Sequence, residues 1–223
     1  MLKSKLLLLI FLLFVISAVF LYKKHFTAAH AEPAAAMDLE STAKLQNGDL
    51  IFHTSTSAQS KAIQLATKSK YSHCGIIYQN GGDYFVFEAV QPVSVTPLAK
   101  WIARGKGGHF VVKRLKNAHG VLTPAVLSKM KAVGEGFKGK DYDLTFEWSD
   151  DKIYCSELIW KVYQRATGLE IGKLEQLKDF DLNAGPVQQK MKERYGSNIP
   201  YQEQVISPAS VFASDLLVTV MEK

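Results

Sequence analysis

The tightest constraint in this sequence is a turn. Two runs of β-formers, residues 72–79 (SHCGIIYQ) and 83–90 (DYFVFEAV), flank Asn80-Gly81-Gly82. Asn-Gly is the strongest short hairpin signal, because a type I′ turn needs positive φ at both central positions. With Asn80-Gly81 as the loop, Gln79 pairs with Gly82, and His73 stands directly opposite Glu88 with Cβ atoms about 5 Å apart. A Gly81-Gly82 loop makes the two diagonal neighbours on the same face, and only a three-residue loop separates them. Strand alternation turns Cys74 away from its neighbour His73. A cysteine partner for this imidazole must therefore be Cys155, the only other cysteine in the chain.

The remaining pattern mixes strands and helices without regular βαβ alternation, which predicts an α+β fold. GDLIF (Gly48 to Phe52) reads as a strand, and Ser57 as the cap of a helix reaching about Lys68. A short segment follows near Leu98 to Arg104, then a strand from Phe110 to Leu115. Thr123-Pro124 marks a helix start, with proline where its missing N–H costs nothing. Cys155 to about Ala166 is a strong helix closed by Gly168, with Leu158, Ile159 and Val162 on its core face. Val187 to Tyr195 and Ser207-Pro208 predict further helices, and Leu216 to Val220 a last strand.

Charge narrows the function classes. The formal net charge is +6 over 223 residues, but Lys3, Lys5, Lys23 and Lys24 lie in the first 31, which hold no acids. The rest carries 23 basic against 21 acidic residues, with no basic cluster interleaved with aromatics, so nucleic acid is not an expected partner. Residues 1–31 have the layout of a secretory signal: lysines, an apolar run from Leu6 to Tyr22, and Ala29-His30-Ala31 as an A-x-A cleavage site. A retained inner-membrane anchor is the alternative, and both place the chain outside the cytoplasm, in the periplasm. Residues 32–44 then read as an Ala/Pro-containing linker, and residues 45–223 as one domain. In an oxidising compartment the plain reading of Cys74 and Cys155 is a disulfide.

Cys155 opens YCSELIWKVY (Tyr154 to Tyr163). A thiol at a helix start is acidified by free backbone N–H groups and the helix dipole, and the same N–H groups can hold an oxyanion. Ser149, Asp150 and Asp151 are candidate caps. His53 ends the first strand and is the competing base, without an evident carboxylate; His25 and His30 fall in the leader, and His109 and His119 near glycines in loops. No HExxH and no CxxC pair occurs, and His73, Cys74 and Cys155 lack zinc-site spacing, so neither metal nor cofactor is expected.

GDLIF, YSHCGIIY, FEAV and DYDLTFEWSDDKIYCSEL, in that order, resemble the permuted papain-like amidases of the NlpC-like superfamily, particularly the YiiX-like group. The resemblance runs from about Leu45 to the C-terminus. It implies a circularly permuted papain-like fold, with Cys155 as nucleophile, His73 as base and Glu88 as the residue that orients it. Tyr142 and Tyr154 are then candidates for the oxyanion or substrate site. It also implies an amide substrate in the cell envelope, such as a cell-wall peptide or a lipoprotein, cleaved through an acyl-enzyme. The alternatives are hydrolysis or transfer of a lipid ester or thioester, with Trp101, Trp148 and Trp160 lining an apolar groove, and an inactive binding module that keeps the fold.

Overall fold

The computed structural model describes residues 42–223; the leader and most of the linker lie outside them. In chain order the strands are β1 (Leu50–Ser55), β2 (His73–Asn80), β3 (Asp83–Glu88), β4 (Ser94–Pro97), β5 (Gly105–Leu115), β6 (Glu175–Gln176), β7 (Gln204–Val205) and β8 (Leu217–Glu222). The helices are α1 (Ala58–Thr67), α2 (Leu98–Ala103), α3 (Ala118–Val121), α4 (Pro124–Glu135), α5 (Cys155–Thr167), α6 (Gly185–Tyr195) and α7 (Pro208–Phe212). Six strands form one antiparallel sheet in the order β4-β3-β2-β1-β5-β8, and β6 pairs with β7 in a ribbon. The class is α+β, as the sequence pattern predicts.

The hairpin closes one residue later than the Asn80-Gly81 loop. Asn80 pairs with Asp83 and Ile76 with Phe87, so Gly81 and Gly82 form the loop, at φ of 61° and 94°. Two glycines take positive φ without a Cβ clash, whereas Asn80 would bring a side chain into that region. This loop moves the pairing by two positions and leaves every side chain on its face. His73 and Glu88 are thus diagonal, not directly opposite.

Alternation along the strands builds two cores. Leu50, Phe52, Cys74 and Ile76 face α4 and α5, where Met130, Leu158 and Ile159 complete the larger cluster. Ile51, Ile77 and Val86 face the other way, under Leu98, Trp101 and Ile102 of α2. A third cluster joins α1 to α6 through Ala62, Val187 and Met191.

Three helix starts are capped as expected. Ser57 accepts from Ser60 N at 3.0 Å, Thr123 from Val126 N at 3.3 Å, and Ser207 from Ser210 N at 3.0 Å. Gly168 ends α5 in the left-handed region at φ 79°. Among the described residues, no helix is long and apolar enough to cross a membrane.

Candidate active site

His73 is the first residue of β2, and Glu88 the last of β3. Gly75 lies between His73 and Ile77 on the same face. A Cβ placed on Gly75 would sit 2.3 Å from Val86 Cγ1, 3.0 Å from the Phe87 carbonyl and 3.4 Å from Glu88 Cβ. The missing side chain leaves a lane across which Glu88 reaches diagonally, bringing Oε2 to 2.6 Å from His73 Nε2.

Glu88 is fully buried and carries four donors. Oε2 also accepts from Trp101 Nε1 at 2.9 Å. Oε1 accepts from Thr96 Oγ1 at 2.5 Å and from Arg104 Nη2. Burial pushes this carboxyl up, but the His73 hydrogen bond and charge, with Thr96 and Arg104, overcome it and hold the pKa at about 2. Glu88 is therefore an anion whose four acceptor sites are occupied. The sequence does not point to Thr96 or Arg104, and it offers Trp101 only as a groove residue, not as a partner of Glu88. A strand glutamate on an apolar face demands donors, yet nothing local says which later residues supply them.

Cys155 opens α5, which packs against β2. Its sulfur takes hydrogen bonds from the Cys74 thiol, the His73 ring and the Cys74 backbone N–H, which hold its pKa well below the ordinary thiol value against the cost of burial. For His73 burial acts downward, but hydrogen bonds to Cys155 and Glu88 win and raise the pKa to about 9. Thiolate beside imidazolium is the stable pairing. With Nε2 donating to Glu88, Nδ1 is left for Cys155.

Cys74 is a core residue, as its strand position implies, but it also touches Cys155. Both cysteines are free thiols, not a disulfide. Burial, followed by the Cys155 contact, raises the Cys74 pKa, so it acts as a neutral donor toward the Cys155 thiolate. The helix start is capped differently from expectation: Glu157 Oε2 accepts from Tyr154 N at 3.4 Å. Ser149, Asp150 and Asp151 do not cap it. Asp150 instead runs along the helix, 2.9 Å from Lys161 and 2.8 Å from Arg165.

Tyr142 follows Asp141 in the α4–α5 connection. Gln91 fixes both, accepting from Tyr142 N at 2.7 Å and donating to Asp141 at 2.5 Å. The Tyr142 hydroxyl accepts from Gln59 Nε2 at 3.0 Å, which leaves its own proton free. Burial and then the Cys155 charge raise its pKa well above the ordinary phenol value, so it remains a donor. Tyr154 lines the same pocket as Cys155 and Tyr142, but its hydroxyl is engaged away from the sulfur. It is buried, and its hydroxyl accepts from Ile206 N at 3.0 Å, tying the start of α5 to the segment before α7.

His53 pairs with His73 across β1 and β2 and stacks on Trp101, with ring centroids 4.0 Å apart. Its Nδ1 is buried without a hydrogen-bond partner. Burial, then the His73 and Arg104 charges, lower its pKa to about 3, so it is a neutral neighbour of the ion pair.

A pocket opens beside Cys155, with Gln59 and Tyr142 also in its lining. Its wall is largely apolar, including Ala62, Ile63, Phe146, Leu177, Val187 and Met191. The tryptophans expected to line such a groove are elsewhere: Trp101 lies under the sheet's other face, and Trp148 packs edge-on against the buried Trp160 at 5.2 Å.

Residues 44–221 match the family described as "Permuted papain-like amidase enzyme, YaeF/YiiX, C92 family". An Escherichia coli (strain K12) protein described as "Uncharacterized protein YiiX" is 49% identical over 178 residues, covering 80% of this chain and 87% of its own length. A crystal structure titled as metalloprotein yiiX from Escherichia coli O157:H7 superposes with a TM-score of 0.77 at 49% identity, covering 81% of this chain and 98% of that one. The match extends over nearly the whole described chain, which belongs to the permuted papain-like amidase family of YaeF and YiiX.

Proposed function

We propose that this protein is a cell-envelope cysteine hydrolase that cleaves an amide bond in a cell-wall peptide or lipoprotein-like substrate, with Cys155, His73 and Glu88 as its triad. The observation that carries the reading is the arrangement around Cys155: an acidified thiol at a helix start, bonded to an imidazole that a buried carboxylate orients. The Cys155 thiolate attacks the carbonyl carbon. Backbone N–H groups at the start of α5 and the Tyr142 hydroxyl stabilise the oxyanion. His73 gives its proton to the leaving amine, then takes one from the water that hydrolyses the thioester. Glu88 holds the ring and stabilises the imidazolium without itself being protonated.

The envelope setting rests on the leader-like residues 1–31, with membrane contact confined to that segment. One solved relative is titled a metalloprotein. Among the described residues, no group of three or more His, Cys, Asp or Glu side chains is placed to hold a metal ion, so no step here is routed through one. A second reading, hydrolysis or transfer of a lipid ester or thioester, is favoured by the apolar wall beside Cys155.

The test is incubation of the purified protein, with Cys155→Ser as control, on cell-wall peptide and lipid fractions of the envelope, followed by mass spectrometry of products. New amines that depend on Cys155 support the amide reading, and freed acyl chains the second. A wild-type Cys155 that alkylates no faster than an ordinary thiol leaves an inactive binding module.

A further inference from the structure

We propose that residues 96–104 are a positioning device for the His73 imidazole: Thr96, Trp101 and Arg104 fill three acceptor sites of Glu88 and leave the fourth aimed at His73. The inference rests on the triad reading above.

All three donors come from one stretch of nine residues, the end of β4 and the whole of α2 with the residue after it. Two of them share Oε1, and Trp101 shares Oε2 with His73. A carboxylate with a single partner can rotate about its terminal torsion and swing a loosely held ring with it. With three sites taken, Glu88 cannot turn without breaking these hydrogen bonds and leaving donors unpaired. The ring it holds therefore keeps Nε2 on the carboxylate and Nδ1 on the thiol.

Trp101 contributes a second restraint. It stacks on His53, the cross-strand partner of His73, and its ring lies near-parallel to His73 at 5.9 Å. Gly105, directly after Arg104, has no side chain because a Cβ there would sit 3.0 Å from His53 Nδ1.

Arg104 also sets charge. The ionisable groups facing this site are His53 from β1, His73 and Cys74 from β2, Glu88 from β3, Arg104 after α2, Cys155 from α5, and Tyr142. Arg104 is the one fixed cation bonded to Glu88 among the described residues. Its charge opposes the field that Glu88 exerts on His73. A role limited to packing would not predict the sign that follows: removing Arg104 strengthens the hold of Glu88 on the imidazolium proton, whereas removing the Glu88 charge weakens it.

Carboxymethylation of Cys155 by iodoacetate, an anion that reacts best while His73 is protonated, reads this directly on the full-length protein. In wild type the rate falls on the alkaline side as His73 loses its proton. Arg104→Met should move that fall to higher pH by about half a unit to one unit, Glu88→Gln should move it lower, and Arg104→Lys should restore the wild-type position. Trp101→Phe, which keeps a six-membered aromatic ring but deletes the five-membered ring that carries the N–H, should slow the plateau rate about fivefold.

Arg104 is partly exposed, so its variants should fold. If Arg104→Met does not, Thr96→Val, which deletes a neutral donor, must shift the fall in the same upward direction. An alkaline fall that stays put or moves lower in Arg104→Met, or a Trp101→Phe protein reacting at the wild-type rate, overturns the device and leaves the triad reading standing. A wild-type Cys155 that behaves as an ordinary thiol overturns both.

Discussion

His53 and His73 face each other across β1 and β2 with ring centroids 5.3 Å apart, yet their environments push their pKa values in opposite directions, to about 3 and about 9. The difference is one of partners. His73 touches a carboxylate and a thiolate, while His53 has an unpartnered nitrogen, an indole and two cations nearby. Of the two histidines available as a base, only His73 therefore holds a proton to give at neutral pH.

Replacing each histidine should separate these roles. His73→Ala should cut turnover and Cys155 alkylation at mildly acidic pH by about 10²- to 10⁴-fold. His53→Phe keeps the stack on Trp101 and should leave alkylation within a few fold. Because the folded pKa of His53 lies below its unfolded value, its contribution to stability is complete above about 6.5 and is lost as pH falls toward about 3. Thermal melts of His53→Phe should accordingly lose less stability than wild type across that window.

The pH–rate profile should be a bell. Its acid limb follows formation of the Cys155 thiolate, below the ordinary thiol range. Its alkaline limb follows loss of the His73 proton near pH 9, beyond which no acid protonates the leaving group. A kcat/KM profile that still climbs past that point would exclude His73 as the acid.

Gly75→Ala should destabilise the protein by about 1 to 3 kcal/mol. The new Cβ meets Val86 Cγ1 at 2.3 Å and the Phe87 carbonyl at 3.0 Å, and neither is the end of a flexible chain. Since the same lane carries Glu88 to His73, Cys155 reactivity should fall along with the melting temperature. A stable, fully reactive Gly75→Ala protein would show that the lane is not needed.

Cys74→Ala removes the thiol that most lowers the Cys155 pKa. The midpoint of Cys155 alkylation should move to higher pH, with the wild-type rate recovered once the thiolate forms. An unshifted midpoint would assign the acidification to the helix start and His73 alone.

Tyr142→Phe deletes the hydroxyl that is held by Gln59 and free to donate toward the oxyanion. With a competent substrate, kcat should fall about 10²- to 10³-fold with little change in KM. Cys155 alkylation, which builds no oxyanion, should keep its rate; if it falls equally, Tyr142 supports the thiol instead.

Much of this arrangement was legible in the chain because it is local. The turn glycines, the alternation of β2 and β3, and the caps at Ser57, Thr123 and Ser207 depend on residues a few positions apart, so sequence was enough to put His73 and Glu88 on one face and Cys155 at a helix start. Even the loop position, one residue off, kept the faces, since side chains in a strand repeat every two residues. What the tertiary structure decided is how distant segments meet: Cys74 and Cys155 as hydrogen-bonded free thiols instead of a disulfide, Gln59 on Tyr142, and Thr96, Trp101 and Arg104 around Glu88. The physical reason is that burial and charge pairing, which set every shifted pKa at this site, are properties of side chains brought together by packing, and no periodicity along the chain records which ones will touch.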